Sequence, residues 1–277
     1  MDVRDRVARA VLACMAAITA SGIFLIALAV VLGGWPALPD LIGTVWRPEE
    51  GRFGALPLLA GSLLVSLGAS AGAVPLGIGM GLFLVEVAPP LLADLMRRLL
   101  RAMAAVPSVV FGFVALDLVV PWIRARFGGL GLSLMAASIV LTAMVLPTVA
   151  AVAEDALRAV SPALREGAYA LGASQGQVAW RLVLPAARRG LAAAAVLALG
   201  RALGETTAVL MVMGNAAAFP RSPVDPARTL TSAVALEMAY AAGRHRQALF
   251  ACGALLLVLN LVTMHLARRA AEGGAER

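Results

Sequence analysis

The chain has 277 residues, 61% of them hydrophobic and only 14% charged, with a mean hydropathy of +0.89, and this composition marks an integral membrane protein rather than a soluble domain. Its net charge of +7 comes from 23 basic residues against 16 acidic ones; all the basic residues are arginine, so a P-loop with its phosphate-binding lysine and any lysine-linked cofactor are excluded. The arginines lie scattered at the ends of apolar runs instead of clustering with aromatics, which argues against nucleic-acid binding.

A helix needs about 20 apolar residues to cross the hydrocarbon core, and six stretches qualify. The first, 10–32, follows Arg4, Arg6 and Arg9 and is longer than a signal-peptide core, so it reads as a retained span. The second lies within the uncharged interval 53–85, where Gly68 and Gly72 have GxxxG spacing and Gly77, Gly79 and Gly81 follow Pro75; close packing and a bend are expected. The third is expected from about Ala102 through Pro107 and Asp117 to Trp122, and the fourth over 129–153. The fifth runs from Leu191 to Asn215 and the sixth from Gln247 to Ala267. Cys14 and Cys252 both fall inside apolar runs, so neither a disulfide nor a cysteine metal site is expected. Glu86, Asp117, His245 and His265 sit near span ends and read as boundary residues.

With the amino terminus in the cytoplasm, fourteen arginines fall on the inner side and eight on the outer, leaving Arg201 within a span. Both termini are therefore expected inside, together with the polar interval 161–190. That interval carries its own helix signals. Ser161 and Pro162 can start a helix that Gly172 ends in a left-handed turn, and Ser174 and Gln177 have capping-box spacing for a second helix. On the outer side, 216–246 is the longest loop; three prolines make its first half irregular, and Thr229 can cap a short helix over 229–242, either re-entrant or a docking surface.

Within the fifth span, Arg201 and Glu205 are four residues apart, with Thr206 and Thr207 beyond them. Insertion of such residues at mid-span costs roughly 2.5–3.5 kcal/mol each, so a partner or a polar cavity is expected. Helical spacing would put Arg201 and Glu205 on one face as a pair. Counted from Leu191, Arg201 lies about 15 Å deep in a core of about 30 Å. Two readings stand: a self-satisfied ion pair that fixes packing, or the lining of an anion pathway, in which the planar guanidinium suits a tetrahedral oxyanion and Glu205 positions it or limits how tightly the anion is held.

The polar interval resembles a known motif. Glu166-Gly167-Ala168, three residues, Gly172, nine residues and Leu182-Val183-Leu184-Pro185 are similar to the EAA loop of ABC importer permeases, with Gly167 in place of alanine and Leu182 in place of isoleucine. Val74–Gly79, Val106–Gly112, Leu146–Thr148, Arg165–Ala173, Gly200–Thr206 and Met213–Ala216 resemble the C-type permease of phosphate ABC transporters. The resemblance implies an all-α polytopic membrane protein of the type I ABC importer permease fold. It assigns Glu166, Gly167, Ala168, Gly172, Leu184 and Pro185 to coupling helices that dock on an ATPase, and Arg201 and Glu205, with Thr206 and Thr207, to the substrate path.

It also implies a second permease subunit as heterodimer partner, two ATPase subunits that hold ATP and Mg, and an outer phosphate-binding protein, all at the bacterial cytoplasmic (inner) membrane. No cofactor, metal or catalytic residue is assigned to this chain. The expected organisation is an amino-terminal span and outer loop over 1–52, a permease core over 53–269 that includes the 161–190 loop, and a short cytoplasmic tail over 270–277. Molybdate, sulfate or a phosphonate would also satisfy Arg201. From a different class, a proton-coupled carrier with Glu205 as proton site predicts transport without an ATPase. An intramembrane enzyme is disfavoured, because no paired-histidine spacing occurs and no nucleophile adjoins a base.

Overall fold

The computed structural model describes residues 3–272, without the side chains at 3–8, 10, 267 and 270–272. The expected tail at 270–277 falls largely outside this range, as do the side chains of Arg4 and Arg6 counted for topology. The described residues are mainly helical, with a hairpin of two-residue strands, β1 (Trp46–Arg47) and β2 (Arg52–Phe53), and irregular stretches such as 128–133 and 213–229. Its helices are α1 (Val3–Gly34), α2 (Leu56–Leu82), α3 (Pro90–Ala105), α4 (Ser108–Phe127), α5 (Leu134–Arg158), α6 (Pro162–Ala170), α7 (Gln175–Val178), α8 (Leu184–Gly204), α9 (Thr207–Val212), α10 (Leu230–Glu237) and α11 (Gly243–Glu272). Among the described residues, six helical segments are long and apolar enough to cross a membrane.

The centre of the bundle is the α2–α5 seam. Small residues on α2 permit it: a Cβ on Gly68 would meet Ser138 Oγ at 2.5 Å, one on Gly72 would meet Thr142 Oγ1 at 2.7 Å, and one on Gly77 would meet Val149 Cγ1 at 2.6 Å. The glycines are there for backbone approach, the packing role their spacing predicts. Val65, Ala69 and Ala73 of α2 join Leu141, Val145 and Val149 of α5 in the largest buried cluster, to which α4, α8 and α9 add Ala115, Ala198 and Val209. By contrast, α1 is apolar all round and its Ile18, Phe24 and Ile26 are exposed, as lipid-facing side chains would be.

Several span boundaries differ from expectation. The third span starts at Ser108, not Ala102, because Pro107 holds Val106 extended (ψ 129°) and splits the segment into α3 and α4. The fourth starts at Leu134: Gly128, Gly129 and Gly131 all have positive φ, and Ser133 Oγ accepts from Ala136 N at the new helix start. The fifth is displaced and broken. Its helix runs from Gln175 to Gly204, through a π-helical turn at Ala179–Val183. There Leu184 N bonds back five residues to Ala179 O, which shifts the ladder just before Pro185, the residue with no N–H to give it. The second helix of the 161–190 interval is thus the start of this span.

At the opposite end of the bundle, a 3₁₀ segment (Trp35–Leu41), the β1–β2 hairpin and α10 fold over the helix ends. Ala37, Trp46, Phe53 and Leu58 pack there with Leu230, Leu249 and Cys252. Thr229 caps α10 in a reciprocal capping box with Ser232, as its sequence position predicts. The helix ends at Glu237, short of the expected 229–242, and Leu230 N donates to Ser62 Oγ on α2 at 2.9 Å.

Candidate coupling loop and mid-span site

The loop's first helix begins at Ser161 and Pro162 as expected, but the Ser161 side chain makes no capping bond; its carbonyl accepts from Leu164 N at 3.1 Å instead. Gly172 ends the turn with φ +83°, and Ala173 N bonds to Ala168 O. The Ser174–Gln177 capping box forms, with Ser174 N donating to Gln177 Oε1 at 2.9 Å and Gln177 N donating to Ser174 Oγ at 3.4 Å. Beneath the loop, Ala168, Ala173, Leu182 and Leu184 rest on a buried cluster of Leu157, Val160, Val178 and Val183. Above it, Leu164, Tyr169, Leu171 and Trp180 are exposed, Leu171 at 91%. Glu166, Gly167, Gly172 and Pro185 share this exposed end.

One anchor was not legible in the sequence. Arg165 Nε donates to Glu86 Oε1 at 3.1 Å, and its two other guanidinium nitrogens donate to Val160 O and Leu157 O at 2.6 and 2.8 Å. The Gln175 amide donates to Glu86 O. Glu86 is therefore more than a boundary charge: it ties the end of α2 to both helices of the loop.

The expected Arg201–Glu205 pair is not formed. The α8 helix stops at Gly204, Glu205 is extended (ψ 134°), and four-residue spacing no longer places the two side chains on one face. Glu205 Oε1 instead accepts from Thr206 N and Thr207 N, each at 3.1 Å, and from Ala208 N at 3.4 Å, so the carboxylate closes the first turn of α9. Thr206 Oγ1 bonds weakly to Gly204 O at 3.4 Å, while Thr231 Oγ1 of α10 donates to Glu205 O at 3.0 Å. These contacts hold the break open, and the exposed Thr207 contributes its amide.

Arg201 stands apart. It is exposed and enters none of the ion pairs among the described residues. It lines a cavity of about 350 Å³ with Thr148 of α5, Gly200 of α8, and Asn260 and Thr263 of α11. Thr148 and Asn260 fall near the middle of their helices, which places the guanidinium at mid-height in the bundle. The site residues inferred from sequence thus form two groups: Arg201 in its cavity, and Glu205 with Thr206 and Thr207 at the helix break.

Two further charge clusters join local pairs to distant partners, Arg97 to Glu154 across 57 residues and Trp46 to Glu237 across 191. At the end of α5, Glu154 accepts from Arg97 Nε at 2.8 Å and from Arg158 Nε at 2.9 Å, and Arg97 also pairs with Asp94 at 2.6 Å. The Glu154 hydrogen bond raises the Arg97 pKa above its ordinary value, with Asp94 adding to it. At the opposite end, Glu237 accepts from Arg228 Nη1 at 2.6 Å and Trp46 Nε1 at 3.1 Å, and contacts His245 Nε2 at 2.8 Å. His245 also stacks on Phe53, so it is a member of a packed ion cluster instead of a simple interfacial residue; His265 is exposed. Asp117 is exposed on α4 and lies at its midpoint, not near a span end as expected, because the helix begins at Ser108 and continues to Phe127.

Residues 73–271 match the family described as the binding-protein-dependent transport system inner membrane component. A probable ABC transporter permease protein, YqgH of Bacillus subtilis, is 37% identical over 228 residues, which is 80% of this chain and 74% of that protein. The phosphate transport system permease protein PstC of Haemophilus influenzae is 32% identical over 268 residues, or 88% and 85% of the two chains. Among solved structures, a chain of the bacterial alginate ABC transporter in complex with an alginate pentasaccharide-bound periplasmic protein aligns over 97% of this chain and 98% of its own, with a TM-score of 0.65 at 17% identity. A chain of the inward-facing MetNI methionine ABC transporter aligns over 83% and 99%, with a TM-score of 0.60 at 21% identity. Those likenesses concern the fold. A helical membrane chain, built around a close-packed glycine seam and an EAA-type loop, therefore belongs to the binding-protein-dependent transport system inner membrane component family, as an ABC importer permease.

Proposed function

We propose that the chain is the permease subunit that carries inorganic phosphate inward across the bacterial cytoplasmic membrane, powered by ATP hydrolysis on separate subunits. The observation that carries this reading is Arg201, a guanidinium at mid-height in a cavity without a carboxylate partner among the described residues. Its planar donors match the oxygens of a tetrahedral oxyanion in pairs, and its charge has work to do there that an internal ion pair would have cancelled. Relatives named as phosphate permeases support phosphate as that oxyanion.

The mechanism is alternating access. Two ATPase subunits, holding ATP and Mg, close on the exposed face around Glu166, Gly167 and Gly172. The movement passes through Leu184 and Pro185 into α8, whose far end carries Arg201. A second, non-identical permease completes the path, and a phosphate-binding protein delivers the anion at the outer face, with both termini of this chain in the cytoplasm. The chain itself makes and breaks no bond and holds no cofactor. Glu205 sets the end of α8 and so the direction in which Arg201 points. Its use as a helix cap works against the rival proton-coupled carrier, which would need that carboxylate as a proton site.

The test is reconstitution in liposomes with partner permease, ATPase and binding protein, following labelled phosphate, sulfate and molybdate. ATP-dependent uptake of phosphate in preference to the other two is expected. Uptake indifferent to ATP would sink the importer mechanism, and preference for another oxyanion would reassign the substrate.

A further inference from the structure

A second cavity, of about 400 Å³, lies between α3 and α5 and adjoins the Arg201 cavity, since Thr148 lines both. Its walls carry Arg97 and Arg101 of α3, one helical turn apart, and Glu154 of α5. From Thr148 to Glu154 along α5 is about 9 Å, so the second cavity leads from the level of Arg201 toward the coupling-loop end. The two arginines differ in employment. Arg97 is held by Asp94 and Glu154, and Glu154 is shared with Arg158. Arg101 is exposed and enters none of these pairs. Arg97, Arg101 and Arg158 against Asp94 and Glu154 leave one positive charge in surplus, and Arg101 is the side chain without a fixed partner. Exposed on a helix that lies outside the six spans, its guanidinium is open to solvent and to an anion in the cavity.

Building on the phosphate reading, we infer that Arg101 is a second anion station, which receives the oxyanion from Arg201 and passes it toward the cytoplasm past the Arg97–Glu154 pair. The tether explains the difference between the arginines. Arg97, already satisfied by two carboxylates, adds positive field without trapping the anion, whereas Arg101 swings free and makes a short-lived contact. Fully neutralised walls would offer no reason for the anion to leave Arg201, and several free arginines would hold it too tightly. One free guanidinium a short step away lowers the barrier between sites without creating a sink.

The test uses the complete transporter in proteoliposomes. Arg101→Gln is expected to lower the maximal rate of ATP-driven phosphate uptake about tenfold, while the half-saturating concentration of loaded binding protein stays the same, because delivery occurs at the other face. Arg101→Lys should keep at least half the rate. Arg101→Cys, made with Cys14→Ser, should regain rate when the assembled transporter is treated with a cationic aminoethyl thiosulfonate, and not with the anionic sulfonatoethyl reagent. Wild-type uptake by Arg101→Gln, equal responses to the two reagents, or loss of assembly in place of loss of transport would each overturn the inference. A wild-type transporter that takes up no phosphate with ATP would instead overturn the reading on which it rests.

Discussion

Arg165 Nε lies 3.1 Å from Glu86 Oε1, across 79 residues of sequence, and joins the proposed coupling loop to the end of the helix that forms the central seam. Both side chains are largely shielded, at 17% and 5% exposure, so removing one leaves the other charge without its partner. Arg165→Ala should cost about 3 kcal/mol locally. The expected phenotype is uncoupling: ATP hydrolysis continues in the assembled transporter while phosphate uptake per ATP falls. A ratio of uptake to hydrolysis equal to wild type would show that the pair is packing only.

The two glycines of the loop should behave oppositely. Nothing lies within 4 Å of a Cβ placed on Gly167, and its backbone is helical, so Gly167→Ala should stabilise α6 by up to about 1 kcal/mol with transport retained. Gly172 has open space too, but its φ of +83° means that Gly172→Ala pays about 1–2 kcal/mol of backbone strain and loosens the turn between the coupling helices. Hydrogen exchange over 162–178 would read both effects: slower in the first variant, faster in the second.

At the helix break, Glu205→Gln keeps an oxygen to accept the α9 amides and should retain assembly, whereas Glu205→Ala forfeits a cap worth about 1 kcal/mol and releases the end of α8. If the carboxylate acts as a cap, transport should follow the order wild type, glutamine, alanine. Equal loss in both variants would assign the role to charge.

The Glu237 cluster predicts a stability effect remote from the transport path. Glu237→Ala strands the Arg228 guanidinium and the Trp46 indole N–H in a packed site and should cost about 3 kcal/mol, seen as a melting temperature lower by several degrees in detergent. An unchanged melting temperature would mean that water replaces the carboxylate at no cost.

How much of this was legible in the sequence follows from the range of each interaction. Spans, caps and the EAA-type spacing are local: hydropathy found the six spans though not the bounds of the third, fourth and fifth, and Ser174–Gln177, Thr229 and Gly172 located the caps and the turn. The Gly68–Gly72 packing role was legible because GxxxG spacing puts both glycines on one face, where a Cβ would meet Ser138 or Thr142. The break after Gly204 was not: Arg201-Ala-Leu-Gly-Glu205 has helical spacing, and only the competition of three amides for the Glu205 carboxylate ends the helix there. The Glu86–Arg165, Arg97–Glu154 and Arg228–Glu237 pairs needed tertiary structure, since charge alone does not reveal which distant partner it meets.

The central claim is that Arg201, freed from Glu205, meets the transported phosphate. Its most direct measurement is initial phosphate uptake by Arg201→Ala and Arg201→Lys in the assembled transporter, with ATP hydrolysis recorded in the same vesicles. A charge-assisted hydrogen bond is worth about 1.5–3 kcal/mol, so uptake by the alanine variant should fall roughly 10- to 100-fold with assembly intact, and the lysine variant should lie between it and wild type. Wild-type uptake by a fully assembled Arg201→Ala transporter would contradict the account.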